Sequence, residues 1–224
     1  MDARGDRGEH PMFIELIDLL RCPREHDDSW LVAAFAKVDQ RFVIRGKLGC
    51  PICGATYPIE DGIADLRDAE LHSAMADATR VSNECSPRTT SADDVVRFAA
   101  MLGLTRPGSL VVLEGGASDM AIPLSEMTEA RAIVLNPEGR ITESESVAVV
   151  LADGRIPLGP ASVDGIVLGS RTPTVYADSA RVLKPGGRLV VPASTDIGVQ
   201  FRTIARDERH LVAESIGPLI SLGR

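Results

Sequence analysis

The spacing of apolar positions changes along the chain and divides it in two. In Phe13-Ile14-Glu15-Leu16-Ile17-Asp18-Leu19-Leu20 the apolar residues recur at helical spacing, which predicts a helix. Two strands are expected next, over 30–35 and 41–45, around Lys37-Val38-Asp39-Gln40. A short strand and a turn follow in Thr56-Tyr57-Pro58-Ile59-Glu60-Asp61-Gly62-Ile63, completing a small α+β unit over 13–66. Residues 67–90 have no clear period beyond a short helical stretch at 71–79, and Ser86-Pro87-Arg88-Thr89-Thr90 reads as a linker with a Pro breaker. From 91 onward the pattern alternates. Ser91-Ala92-Asp93-Asp94 resembles a capping box that opens a helix through Leu102. Continuous apolar runs follow at 109–113, 132–135, 147–151, 163–168 and 188–191, with helices fitting at 119–130 and 174–183. Such runs alternating with helices predict an α/β domain over 91–224, its mostly parallel sheet covered on both faces. The segments 210–214 and 218–222 are expected to close it as an antiparallel pair.

Composition sets limits on this picture. Of 224 residues 44% are hydrophobic and 25% charged, the balance of a globular chain, and no apolar run reaches the roughly 18–20 residues of a membrane span. The net charge is −8, and Lys and Arg are scattered singly, which disfavours direct binding to nucleic acid. Residues 1–12 are polar, lack the apolar core of a signal peptide and read as a disordered tail. The expected compartment is therefore the cytoplasm, where cysteines are thiols or metal ligands rather than disulfides.

Three of the four cysteines fall in the first unit. Cys50-Pro51-Ile52-Cys53-Gly54 is a C-x-x-C knuckle, a spacing that brings two thiolates onto one tetrahedral Zn²⁺. Gly54 suits the left-handed turn beneath the metal. Cys22-Pro23-Arg24-Glu25-His26 supplies a second pair, so Cys22, His26, Cys50 and Cys53 make a closed, structural Cys₃His set. His26 is flanked by Glu25, Asp27 and Asp28, as in an exposed loop, and Cys85 is the other candidate for the fourth ligand. No helix plainly starts at the knuckle to lower a thiol pKa, which argues against a redox role.

The order of Leu19-Leu20-Arg21-Cys22-Pro23, Leu48-Gly49-Cys50-Pro51-Ile52-Cys53-Gly54 and Tyr57-Pro58-Ile59-Glu60-Asp61-Gly62-Ile63 resembles the Trm112-like family. That resemblance implies a zinc-binding or zinc-knuckle-derived module that binds and activates class I methyltransferases by pairing with their sheet. The family's usual second Cys of the first knuckle is absent here, with His26 nearby.

In the second unit, Val111-Val112-Leu113-Glu114-Gly115-Gly116-Ala117-Ser118-Asp119 places a Gly-containing turn where a first strand meets a first helix, the position at which doubly wound sheets bind nucleotide-like ligands. Leu151-Ala152-Asp153-Gly154, then 161–168, then Ala180-Arg181-Val182-Leu183-Lys184-Pro185-Gly186-Gly187-Arg188-Leu189-Val190-Val191 resemble the third to fifth strands of class I S-adenosylmethionine (SAM) methyltransferases. The resemblance implies a Rossmann-like methyltransferase fold, with SAM held by Glu114, Gly116, Asn136 and Asp153. The family's glycine motif is degenerate here: aligned on Glu114, Gly116 is kept while Ser118 and Met120 stand at the other two glycine positions. Asn136 replaces the acid that binds the ribose, with Glu138 two residues on. Glu114 and Asp153 also have plain structural readings, as a strand-end carboxylate capping backbone and as a turn residue before Gly154. Gly169-Ser170-Arg171-Thr172-Pro173 does not match the family's amino-methyltransferase motif, and His72 and His210 read as surface residues. Two functions are expected from this: a non-catalytic binding or scaffolding pseudo-enzyme that engages a protein partner, or a working SAM-dependent methyltransferase activated by its own fused module.

Overall fold

The computed structural model describes residues 11–68, 90–139, 141, 144–169 and 173–217. The expected helix at 71–79, His72, Cys85, most of the motif after 169 and the expected strand at 218–222 lie outside these residues.

All the described strands join one twelve-stranded sheet. The first unit contributes β1 (Met12–Phe13), β2 (Val32–Asp39), β3 (Phe42–Gly49), β4 (Thr56–Glu60) and β5 (Ile63–Asp65). The second contributes β6 (Leu110–Glu114), β7 (Arg131–Leu135), β8 (Val147–Leu151), β9 (Val163–Leu168), β10 (Leu183–Pro192), β11 (Phe201–Arg206) and β12 (His210–Ser215). The order is β1-β3-β4-β5-β8-β7-β6-β9-β10-β12-β11, with β2 on β3. Strands β6 to β10 are mutually parallel neighbours, and taken in chain order they run 3-2-1-4-5, the doubly wound arrangement. Residues on β6, β7, β8 and β9 are almost all buried, as the continuous apolar runs require.

Among the described residues three helices accompany the sheet: α1 (Ala92–Leu102), α2 (Ala121–Thr128) and α3 (Pro173–Val182). Ser91 caps α1 as its sequence predicts, its Oγ accepting from the Asp94 N–H at 3.1 Å. Alternate sheet residues feed two cores. Val111, Leu113, Val134 and Val149 share one with Val95 and Phe98 of α1 and Leu124 of α2. Val112, Ile133, Leu135 and Val150 share the other with Val175 and Val182 of α3. This is the Rossmann-like methyltransferase fold expected for 91–224.

The first unit corrects two expectations. Residues 13–20 are not a helix: Met12–Phe13 pair with Phe42–Val43 and only Ile14–Leu16 form a 3-10 turn. Tertiary pairing overrides the local period, because eight residues are too few to make a helix stable by itself. Met12, placed in the tail by its sequence, is fully buried in β1. At the other end, β12 pairs with β11 as well as β10, so the antiparallel partner of 210–214 is 201–206.

The two units are joined by hydrogen bonds, not just by the chain. β4 and β5 form a hairpin whose turn, Asp61-Gly62, has φ of 50° and 75°, the pattern that suits the strand twist. β5 then pairs in parallel with β8, Ile63 opposite Val149. The connections from β7 to β8 and from β8 to β9 carry no helix among the described residues. Instead Leu16, Ile17 and Leu20 of the first unit join the core on that face, together with Ile156 and Leu158. The Arg21 N–H donates to the Pro157 carbonyl at 2.9 Å and the Gly159 N–H to the Leu19 carbonyl at 2.8 Å.

Candidate functional site

The cysteine cluster assembles as expected. Hairpin β2–β3 ends at Gly49, and the knuckle loop after it closes on itself, the Gly54 N–H donating to the Cys50 carbonyl at 3.0 Å and the Cys50 N–H to the Ala55 carbonyl at 2.8 Å. Gly54 takes φ of 69°, which a Cβ would strain. Cys22 reaches the same point from the segment bridged to Ser29 and Trp30. One ligand atom from each of Cys22, His26, Cys50 and Cys53 lies within 4.8 Å of all the others.

The spacing of these atoms fits one tetrahedral ion. Two thiolates on a Zn²⁺ at about 2.3 Å sit about 3.8 Å apart, and Cys22 Sγ and Cys53 Sγ are 3.8 Å apart. A thiolate and an imidazole nitrogen on that ion sit about 3.6 Å apart; Cys50 Sγ and His26 Nε2 are at 3.4 Å. His26 Nδ1 lies 2.6 Å from the Asp27 carbonyl oxygen, which only accepts, so Nδ1 carries the proton and Nε2 offers its lone pair to the cluster. Burial pushes the Cys50 thiol up, but the N–H groups of Cys53 and Ile52, with the neighbouring thiols, outweigh it and bring it to about 6. Burial dominates at Cys22 and raises it.

The residues expected to hold SAM are arranged differently. A cleft of about 710 Å³ opens at the carboxyl ends of β6 and β9, where a doubly wound sheet binds ligands. Of the four residues expected to hold SAM, only Gly116 lines it. Glu114 is buried, and its Oε2 accepts the Gly169 N–H at 3.1 Å, tying β6 to the end of β9. Asn136 has φ of 49°, and its amide clamps Ala152 from both sides, donating to the carbonyl at 2.8 Å and accepting the N–H at 3.0 Å. Asp153 accepts the Asp68 N–H at 3.3 Å and lies in a separate small pocket with Arg24, Tyr57 and Asp68.

The glycine motif has likewise closed on itself. Gly115–Met120 wind into a 3-10 turn that runs into α2. Ser118 is buried, its hydroxyl donating to the Gly115 carbonyl, so it does not line the cleft; Met120 does. Glu138 lies over the same turn. A Cβ on Gly116 would stand 3.2 Å from Glu138 Oε2. His210, expected at the surface, is half-buried, packs edge-on against Phe98 with ring centroids 5.0 Å apart and lines the cleft. Nothing local marks its burial, which comes from β12 pairing with β10 beside α1.

No family model and no curated protein matches the chain. Among solved structures it is similar to a geranyl diphosphate methyltransferase complexed with GPP and sinefungin, at 16% identity over 45% of this chain and 43% of that one, with a TM-score of 0.38. It is similar to phospholethanolamine N-methyltransferase 2 of Haemonchus contortus at 13% identity over 45% and 28%, TM-score 0.37. It is also similar to the antibiotic-resistance methyltransferase Kmr at 14% identity over 60% and 97%, TM-score 0.38. The chain spans less than half the length of the first two. Its own strand order places residues 91–217 in the Rossmann-like methyltransferase fold, and its four Cys and His ligand atoms form a cluster of metal-binding size.

Proposed function

We propose that the chain is a non-catalytic protein of the methyltransferase fold, a binding or scaffolding pseudo-enzyme that carries its own Trm112-like zinc module and works in the cytoplasm with a protein partner. The observation that carries this reading is the engagement of Asn136 with Ala152. The side chain that replaces the ribose-binding acid has both halves of its amide on backbone. Glu114 and Asp153 also accept backbone N–H groups. A ribose held without its acid forgoes a charge-assisted bond worth about 1.5–3 kcal/mol, or roughly tenfold to a hundredfold in affinity.

The zinc module in this reading is structural. One Zn²⁺ is held by Cys22, His26, Cys50 and Cys53, and a closed four-ligand site supplies folding energy rather than chemistry. The chain's own residues then keep the module in register, through β5 on β8 and Leu20 beside Leu158.

Thermal-shift and calorimetric titration with SAM tests the proposal. Binding no tighter than about millimolar is expected, read as little or no rise in melting temperature, because stabilisation grows only with the logarithm of one plus ligand concentration over dissociation constant. A micromolar dissociation constant would overturn it in favour of the second reading, an active SAM-dependent methyltransferase with an atypical cofactor loop. That reading has its own support in the cleft, which persists at the carboxyl ends of β6 and β9. Ser118 and Asn136 do not line the cleft, so Ser118→Gly and Asn136→Asp would not open it. Met120→Gly with Glu138→Gly is the pair that opens it.

A further inference from the structure

The cluster of Cys22, His26, Cys50 and Cys53 has one neighbour that is neither a ligand nor a packing residue alone. Tyr57 is 3% exposed, yet its hydroxyl lies 3.3 Å from Cys22 Sγ. A buried phenol needs a hydrogen-bond acceptor. A metal-bound thiolate is acceptor-only, so the direction of the bond is set: Tyr57 Oη–H donates to Cys22 Sγ.

We propose that Tyr57 is an outer-sphere residue of the metal centre, and that its hydrogen bond to Cys22 ties metal occupancy to the hairpin that joins the two halves of the molecule. The inference rests on the zinc reading above. Its structural basis is the position of Tyr57 on β4, opposite Leu48 of β3. Two residues beyond it, Ile59 pairs with Ala64 of β5, and Ala64 pairs with Val150 of β8. The path from a metal ligand to the large sheet is thus one side-chain hydrogen bond and two backbone ladders. A second link runs beside it, from Arg24 in the Cys22 loop to Asp68 at 3.4 Å, and from the Asp68 N–H to Asp153. Tyr57, Arg24, Asp68 and Asp153 line the same pocket of about 240 Å³ at the joint.

Tyr57→Phe in the full chain removes the hydroxyl and keeps the ring. Outer-sphere partners of metal ligands are worth about tenfold to a hundredfold in affinity, and a loss of that size is expected in zinc competition against a chromophoric chelator. The Co²⁺-substituted variant is expected to show a shifted thiolate-to-cobalt charge-transfer band, a signature that a packing role alone would not move. Hydrogen exchange at the Ala64 and Leu66 amides is expected to quicken in the variant, while amides of β6 and β9 stay protected. An unchanged zinc affinity and cobalt spectrum would overturn the proposal while leaving the zinc reading intact. A wild-type chain that takes up neither zinc nor cobalt would overturn both. A variant with weakened zinc binding but unaltered exchange at Ala64 and Leu66 would overturn the link to the hairpin.

Discussion

The Cys and His cluster and the surroundings of the cleft at the carboxyl ends of β6 and β9 use polar side chains in opposite ways. At the cluster, four ligand atoms from two separated loops converge on a common point, and the nearby backbone serves to orient them: the Asp27 carbonyl fixes the His26 tautomer, and the Cys53 and Ile52 N–H groups lower Cys50. At the cleft, the backbone is the destination. Glu114 and Asn136, beside it, each end on a part-buried peptide group of another strand or loop, and the exposed Asp153, in a separate pocket, accepts the Asp68 N–H. The difference teaches that a side chain kept at a familiar place reports a binding role only when its lone pairs or protons are left for the ligand. A carboxylate or amide that already satisfies buried backbone would strand that backbone on release, at about 1–3 kcal/mol per group.

The largest test of this contrast is removal of the metal. Protein purified without chelator is expected to hold about one zinc per chain by elemental analysis, and Cys50→Ser to hold much less. Structural zinc sites in small fingers are worth roughly 10–16 kcal/mol; here the sheet also supports the module, so a loss on the order of 5 kcal/mol is expected, read as a separate low-temperature transition in calorimetry. A single unshifted transition would erase the distinction drawn between the two regions. Leu20→Ala comes next. Leu20 is fully buried and bridges Leu158 where a crossover helix would lie, so truncation should cost about 3 kcal/mol in denaturant unfolding. A cost below about 1 kcal/mol would mean that the first unit merely rests on the sheet.

Asn136→Asp sharpens the comparison from the cleft side. The carboxylate keeps the bond from the Ala152 N–H but faces the Ala152 carbonyl with no donor, so stability is expected to fall by about 1–3 kcal/mol in urea unfolding, with no gain in SAM affinity. A gain in affinity would show that this side chain serves the ligand after all. The smallest effect concerns His210. Burial lowers its pKa, opposed by Asp207 and aided by Arg97 and Arg209, with Asp94 also nearby. The unfolded chain then binds a proton that the folded chain refuses. The contribution of this group is therefore complete above its ordinary value near 6.5 and is lost as pH falls through the lower folded value. Unfolding followed from pH 7 to pH 5 is expected to show that decline in the wild type and less of it in His210→Phe, which keeps a ring against Phe98.

Particular elements show what could be read from residue order. The runs at 147–151 and 163–168 coincide with β8 and β9, because a strand buried on both faces must be apolar throughout. Ser91, the Asp-Gly turn and the knuckle glycine act through local geometry, and each stands where its chemistry predicts. The helix expected at 13–20 failed because its apolar period serves a tertiary surface, the face of β7 and β8. Tyr57 belonged to a recognised motif, but its reach to Cys22 depends on β4 lying beside the folded knuckle. The engagement of Asn136 left no local trace, since Ala152 is sixteen residues away and the bonds go to backbone.

Sequence by itself determined the doubly wound strands, the capped helix and the four side chains of the Cys and His cluster, because hydrophobic period, turn chemistry and the spacing of Cys and His act over a few residues. Only the tertiary structure decided that both units share one sheet, that the first unit takes the place of a crossover helix, and that Glu114 and Asn136 hold the protein's own peptide groups. Those outcomes depend on which backbone groups become buried across strands distant in the chain, and a buried peptide group takes the nearest partner whatever motif that partner belongs to.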